Sequence, residues 1–107
     1  MTEEAQINWG KIKGMYEGVT ERMNKNPDLP AVGAPKAKIR VIKERLFEAT
    51  TEGHTFQIDE PIERGGDGCA PSPMAYFTAG AAACLTSHLT QSAGYLDIHY
   101  TALEVEA

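Results

Sequence analysis

A cysteine and a histidine stand four residues apart in the most apolar stretch of the chain, as Cys84 and His88. Four residues is about one turn of an α-helix, so both side chains would lie on one helix face. A thiolate is a nucleophile, and a neighbouring imidazole either lowers the thiol pKa or acts as a base. Thiol chemistry is therefore one interpretation of the pair. Three alternatives stay open: Cys84 as a small buried hydrophobe, His88 as an ordinary polar residue, and the pair as half of a metal site.

A second thiol, Cys69, follows the glycine-rich run at residues 65–68 and precedes the apolar stretch. We expect it to be better exposed than Cys84 and to lie near the positive end of a helix dipole, where it could resolve an oxidised Cys84. An inert cysteine is the alternative. The glycine run lacks the Gly-Lys-Ser/Thr ending of a phosphate-binding loop, so we predict no nucleotide site.

The apolar stretch has the signals of a long helix, with Ser72 as N-cap, Pro73 at the first helical position and Gly94 as the stop. Residues 74–85 carry no charge, which predicts that this central helix is buried on all sides. A chain of 107 residues has little other material to cover it. A sheet on one side and a second subunit on the other are expected.

The remaining elements follow from periodicity and from breakers. The spacing of apolar residues over 3–24 predicts an amphipathic helix, and the prolines and glycine of residues 24–35 predict a linker. Residues 36–51 predict one long strand, followed by a turn and a second strand at 55–58. Residues 59–73 predict a loop, and alternation from Leu96 to Ala107 predicts a last strand. This is a single α+β domain.

Composition excludes several classes of protein. Fifteen acidic against ten basic residues give a net charge of −5, which disfavours nucleic acid and acidic membranes as partners. The most apolar segment is shorter than the roughly 20 residues that span a bilayer, and the acidic N-terminus is unlike an export signal. We interpret the chain as cytoplasmic. Its two cysteines are too few for a disulfide scaffold, and no residue pattern calls for a metal or a cofactor.

Residues 58–86 combine Asp-Glu-Pro after a strand, a Gly-Gly loop, Pro-Ser-Pro-Met at a helix start, and an alanine-rich helix with a cysteine three turns in. In this order the motifs resemble the OsmC/Ohr family, and the resemblance covers about residues 36–107. It implies an antiparallel sheet wrapped around a buried central helix, to which residues 1–35 add a helix and linker. It also implies a thiol peroxidase with Cys84 as nucleophile and an arginine that stabilises the thiolate. The candidates for this arginine are Arg40, Arg45 and Arg64. We name Cys84, Arg40 and His88 as the predicted catalytic residues.

The resemblance also implies a homo-oligomer, a dimer before other states, formed through the apolar helices. The family continues with further strands and a helix, which a second chain could supply. Alternatively, identical chains exchange strands, and the N-terminal helix of residues 3–24 covers the open side of the fold. Met74 stands where a pocket glutamate is expected. Two alternative functions therefore stay open: hydrolysis or group transfer through Cys84, and a noncatalytic subunit that binds a small molecule.

Overall fold

A computed structural model describes residues 4–28 and 34–107 of the chain. The described elements are α1 (Trp9–Lys25), β1 (Ala37–Lys43), β2 (Leu46–Thr51), β3 (His54–Ile58), a 3₁₀ turn (Ile62–Arg64) and α2 (Pro73–Tyr95). The fold class is α+β, as predicted. The chain divides into two compact units, one from the described parts of Met1–Val32 with Ala81–Ala107, the other from those of Gly33–Gly80. Of the predicted linker, residues 29–33 lie outside the described part.

The sheet has three antiparallel strands in the order β1-β2-β3. The single long strand predicted for residues 36–51 is wrong, because the chain reverses between Lys43 and Leu46. Glu44 adopts a left-handed φ of 47° at this reversal, and nothing in the β-branched pattern around it signals a turn. The second reversal, through Glu52 and Gly53 at φ 50° and 78°, is the predicted hairpin turn and leads into the predicted strand β3.

The start of α2 packs against this sheet within the same unit. The Ser72 hydroxyl accepts a hydrogen bond from the Ala75 N–H at 3.2 Å, so Ser72 caps the helix as predicted. One turn later the Tyr76 ring lies 5.0 Å from the Phe56 ring, and its hydroxyl donates to the Gln57 carbonyl at 2.6 Å. The buried core of the unit includes Ala49 at the centre of β2, which pairs with Phe56. These contacts fix the first turns of α2 to β3.

The end of α2 is set by Asp97 and not by Gly94, which corrects the predicted stop. Asp97 has a φ of 56°, the Ile98 N–H donates to the Ala93 carbonyl, and the Asp97 N–H donates to that of Gly94. This pair of bonds is a Schellman motif, with Asp97 in the left-handed position. Gly94 serves the packing of α1 instead, because a Cβ there would lie 2.6 Å from Ile12 Cγ2.

Helix α1 begins later than the predicted residue 3. The Asn8 side chain accepts from the Lys11 N–H at 3.0 Å and caps the helix before Trp9. The Trp9 ring stacks on His99 at 4.9 Å and meets Tyr100 edge-on at 4.8 Å. These contacts join α1 to the C-terminal segment of the same unit.

The strand predicted from Leu96 to Ala107 is wrong, because the structure gives this segment no strand. It is held by isolated hydrogen bonds: the Ala5 N–H donates to the Thr101 carbonyl at 2.7 Å and the Tyr100 hydroxyl to Thr90 Oγ1 at 2.8 Å. Alternating apolar residues specify a strand only when a neighbouring edge supplies backbone partners. Here the segment packs side chains against helices instead, as Tyr100 does.

Candidate functional site

Cys84 and His88 both lie on α2, one turn apart, as their spacing predicted. This chain alone does not bury Cys84 as predicted, since the side chain is exposed and free. Its neighbours Leu85 and Leu89 are 55% and 45% exposed. Gly94 is the one buried residue of α2, so the helix expected to be buried on all sides is mostly exposed within this chain. The thiol and the imidazole therefore lie on an uncovered apolar helix face.

The three arginine candidates belong to the other unit. Arg40 Nη2 lies 3.2 Å from Glu48 Oε1 across the β1-β2 pair, and both side chains are partly exposed. Arg45 Nη2 lies 3.7 Å from Glu60 Oε1, and the Glu60 side chain is only 9% exposed. Arg64 ends the 3₁₀ turn. These ion pairs do not identify which arginine would stabilise the Cys84 thiolate.

The most highly connected polar group is a carboxylate that sequence reasoning did not single out. Asp59 is 1% exposed at the end of β3. Its Oδ2 accepts from the Asp67 and Cys69 N–H groups at 3.2 and 3.1 Å and lies 3.1 Å from Cys69 Sγ, while Oδ1 accepts from the Glu60 N–H at 2.8 Å. We call residues 59–71 the Asp59 loop. Its chain folds around one buried acceptor.

Gly66 allows the Asp59 loop to close. An added Cβ at this residue would lie 1.9 Å from the Glu60 carbonyl oxygen and 2.6 Å from Asp59 Oδ1. The Gly66 N–H donates to the Pro61 carbonyl and the Gly68 N–H to that of Glu60. In the sequence, Asp-Glu-Pro ahead of the glycine run indicated a loop. It did not indicate that the loop would enclose the Asp59 carboxylate.

The Asp59 loop changes the expected chemistry of Cys69. Its thiol hydrogen bond to Asp59 is the main cause that raises the pKa of Cys69, and burial and the Asp59 charge add to it. The same hydrogen bond is the main cause that lowers the pKa of Asp59, with the backbone donors assisting against the opposing effect of burial. The favourable helix dipole expected for Cys69 is therefore outweighed by a carboxylate. Cys69 and Cys84 are both exposed, but Cys69 is disfavoured as a thiolate.

These two shifts predict a stability that declines at both ends of the pH range. Asp59 has the lower pKa in the folded chain, so its contribution is complete above the ordinary aspartate range and is lost as the pH falls through that range. Cys69 has the higher pKa when folded, so its contribution is complete at neutral pH and is lost as the pH rises above about 8.5. Urea midpoints between acid and alkaline pH measure this. Cys69→Ser should flatten the alkaline decline, and an unchanged decline would contradict the assignment.

Metal ligation receives no support from the described ranges, 4–28 and 34–107. No group of three or more His, Cys, Asp or Glu side chains in them could hold a metal ion. Of the other histidines, His99 stacks on Trp9 and His54 begins β3. Within the same described ranges, no helix is both long enough and apolar enough to cross a membrane.

Comparison with known proteins finds no match among family models, curated proteins or solved structures. The resemblance to the OsmC/Ohr family therefore depends on the motif residues of the chain itself.

Proposed function

We propose that the protein is a thiol-dependent hydroperoxide reductase of the OsmC/Ohr type, with Cys84 as the nucleophile. The observation that carries the proposal is the difference between its two thiols. Cys84 is exposed on α2 with His88 one turn away, whereas Cys69 is hydrogen-bonded to a carboxylate that raises its pKa. A peroxidatic cysteine must be accessible as a thiolate. Cys84 meets the condition of access, and His88 lies one turn away as a candidate general base.

The reaction consists of two steps, the oxidation of Cys84 by the hydroperoxide and the reduction of Cys84 by a dithiol. The Cys84 thiolate attacks the distal oxygen of an organic hydroperoxide, an S–O bond forms and the O–O bond breaks. The sulfur loses two electrons and becomes a sulfenic acid, while the leaving alkoxide takes a proton and departs as an alcohol. A dithiol reductant then forms a mixed disulfide with Cys84, releases water, and closes its own disulfide to regenerate the thiol. Because its pKa is raised, Cys69 is a poor resolving thiol, so the reductant comes from outside the chain.

Arg40 is the arginine that we assign to the thiolate. Its partner Glu48 is partly exposed, and ion pairs between exposed groups contribute little free energy, so Arg40 can exchange this partner for another anion. Arg45 pairs with Oε1 of the nearly buried Glu60, whose Oε2 has no hydrogen bond within the described residues. Removing Arg45 would leave a buried carboxylate without its charge partner.

We further propose that the active form is a homodimer in which the partner covers the first half of α2, ahead of Cys84. Met74 and Phe77 in the first half of the helix are 62% and 72% exposed, an unusual exposure for large apolar side chains. The edge strand β1 is exposed along its whole length, including Ile39 and Val41 at 53% and 61%. A second copy would bury these apolar side chains and leave Cys84 accessible to its substrate. A different chain that supplies the family's C-terminal strands is the alternative.

The test follows consumption of cumene hydroperoxide with dithiothreitol as the reductant. We expect turnover by the parent protein, no turnover above buffer for Cys84→Ser, and turnover close to the parent for Cys69→Ser. Arg40→Ala should lower the rate about tenfold or more. No turnover by the parent, or full turnover by Cys84→Ser, would overturn the proposal. Mass spectrometry distinguishes the hydrolase alternative, which predicts an acyl adduct on Cys84 with an activated ester, from sulfenic acid formation with peroxide.

A further inference from the structure

A groove within the unit that contains α1 lies between the two helices and under the C-terminal segment. It has a volume of about 680 Å³, which falls within the range of small-molecule sites. Its apolar wall combines Ile12 and Met15 of α1, Val105 of the C-terminal segment, and Ala82 and Ala83 of α2. Three separate segments thus form one concave surface.

The polar lining of this α1/α2 groove consists of neutral side chains of α2. Two of them are already engaged: Thr86 donates to the Ala82 carbonyl at 2.8 Å, and Thr90 donates to the Thr86 carbonyl at 3.0 Å. Ser87 and Gln91 also line the groove, one turn apart, and neither side chain has a hydrogen bond to another described residue. They are the groups that a ligand could use.

Among the residues that the structure describes, the lining of the groove carries no charged side chain. A carboxylate or ammonium group bound here would lose water without gaining a counter-ion, which is costly. On the two helices an extended peptide would find no backbone partners, since the N–H and C=O groups in the middle of a helix are bonded within the helix. The chemistry favours a small neutral molecule with an apolar body and one hydrogen-bonding end.

We infer that the α1/α2 groove is a binding site for a neutral amphiphile, such as a medium-chain alcohol or a fatty amide. The apolar body lies against Ile12, Met15 and Val105, and the polar end meets Ser87 and Gln91. Of the two polar residues, Gln91 offers both a donor and an acceptor, which suits either an alcohol or an amide. The site involves neither the thiol of Cys84 nor any redox step. It therefore goes beyond the peroxidase proposal and stands or falls separately from it.

The experiment titrates the intact chain with the neutral dye Nile red and follows its fluorescence. We expect saturable binding that 1-decanol displaces at lower concentration than decanoate or decylamine does. Ala83→Phe fills the groove and should weaken dye binding about tenfold or more. The matched control is Ala81→Phe, which lies on the same helix, is also exposed, and does not line the groove.

The outcomes decide the assignment. Loss of binding with Ala83→Phe and retention with Ala81→Phe support the groove, as does weaker displacement by 1-decanol in Gln91→Leu. Absence of saturable binding to the parent overturns it. An equal loss in both phenylalanine variants places the dye on the exposed face of α2 and also overturns it, as does displacement by decanoate as effective as by decanol. Circular dichroism confirms that both variants keep their helices.

Discussion

Gly66→Ala is expected to open the Asp59 loop and to lower the melting temperature by about 10 °C or more. The new Cβ would lie 1.9 Å from the Glu60 carbonyl oxygen, which belongs to the backbone and cannot rotate away. Relief requires the chain on one side to move. That movement separates the buried Asp59 carboxylate from donors that include the N–H groups of Asp67 and Cys69. Buried groups that lose their partners are costly, so the effect extends beyond one steric contact.

The measurement combines thermal unfolding by circular dichroism with amide hydrogen exchange at Asp67 and Cys69. Both amides should lose protection in Gly66→Ala. The matched control is Gly80→Ala in α2, where an added Cβ meets nothing within 4 Å. This control should stabilise the protein by about 0.5–1 kcal/mol, because alanine is the better helix former. Unchanged exchange in Gly66→Ala would show that the loop does not close around Asp59 in this way.

Alkylation by iodoacetamide near neutral pH is expected to modify Cys84 about tenfold or more faster than Cys69. Both thiols are exposed, so access alone predicts similar rates. The difference arises because Asp59 accepts the Cys69 thiol proton and raises the pKa of Cys69. Fewer thiolates at equilibrium give a slower reaction at that site. Peptide mapping by mass spectrometry reports the two rates in a single sample.

Asp59→Asn tests the cause of the slow reaction. It removes the negative charge that disfavours the Cys69 thiolate, so Cys69 should react faster while the rate at Cys84 stays as it was. Glu21→Gln is the control, since Glu21 pairs with Lys25 on α1 and with neither thiol. Equal rates at the two thiols in the parent protein would contradict the arrangement around Asp59. Circular dichroism of each variant separates an effect of charge from a loss of folded structure.

Local signals along the chain were enough for the α+β class, the Ser72 cap, the hairpin before β3 and the one-turn spacing of Cys84 and His88. Each depends on residues that are neighbours in sequence, where the chemistry of a few side chains selects the backbone conformation. The turn at Glu44 was missed for the same reason, because neither of its central residues is a usual turn former.

Tertiary contacts decided the rest. The last residues fail to form a strand because alternation specifies a face but does not supply a partner edge. The charge-free turns of α2 predict a buried helix, but which of its residues are buried depends on packing between distant parts of the chain. Within this chain that packing leaves Cys84 exposed. In the sequence Gly94 indicates the end of a helix, whereas in the structure its lack of a side chain allows Ile12 to pack against it. The buried Asp59 depends on donors up to ten residues away. The sequence therefore marks a loop there, and only the folded chain determines that the loop closes on a carboxylate that raises the pKa of Cys69.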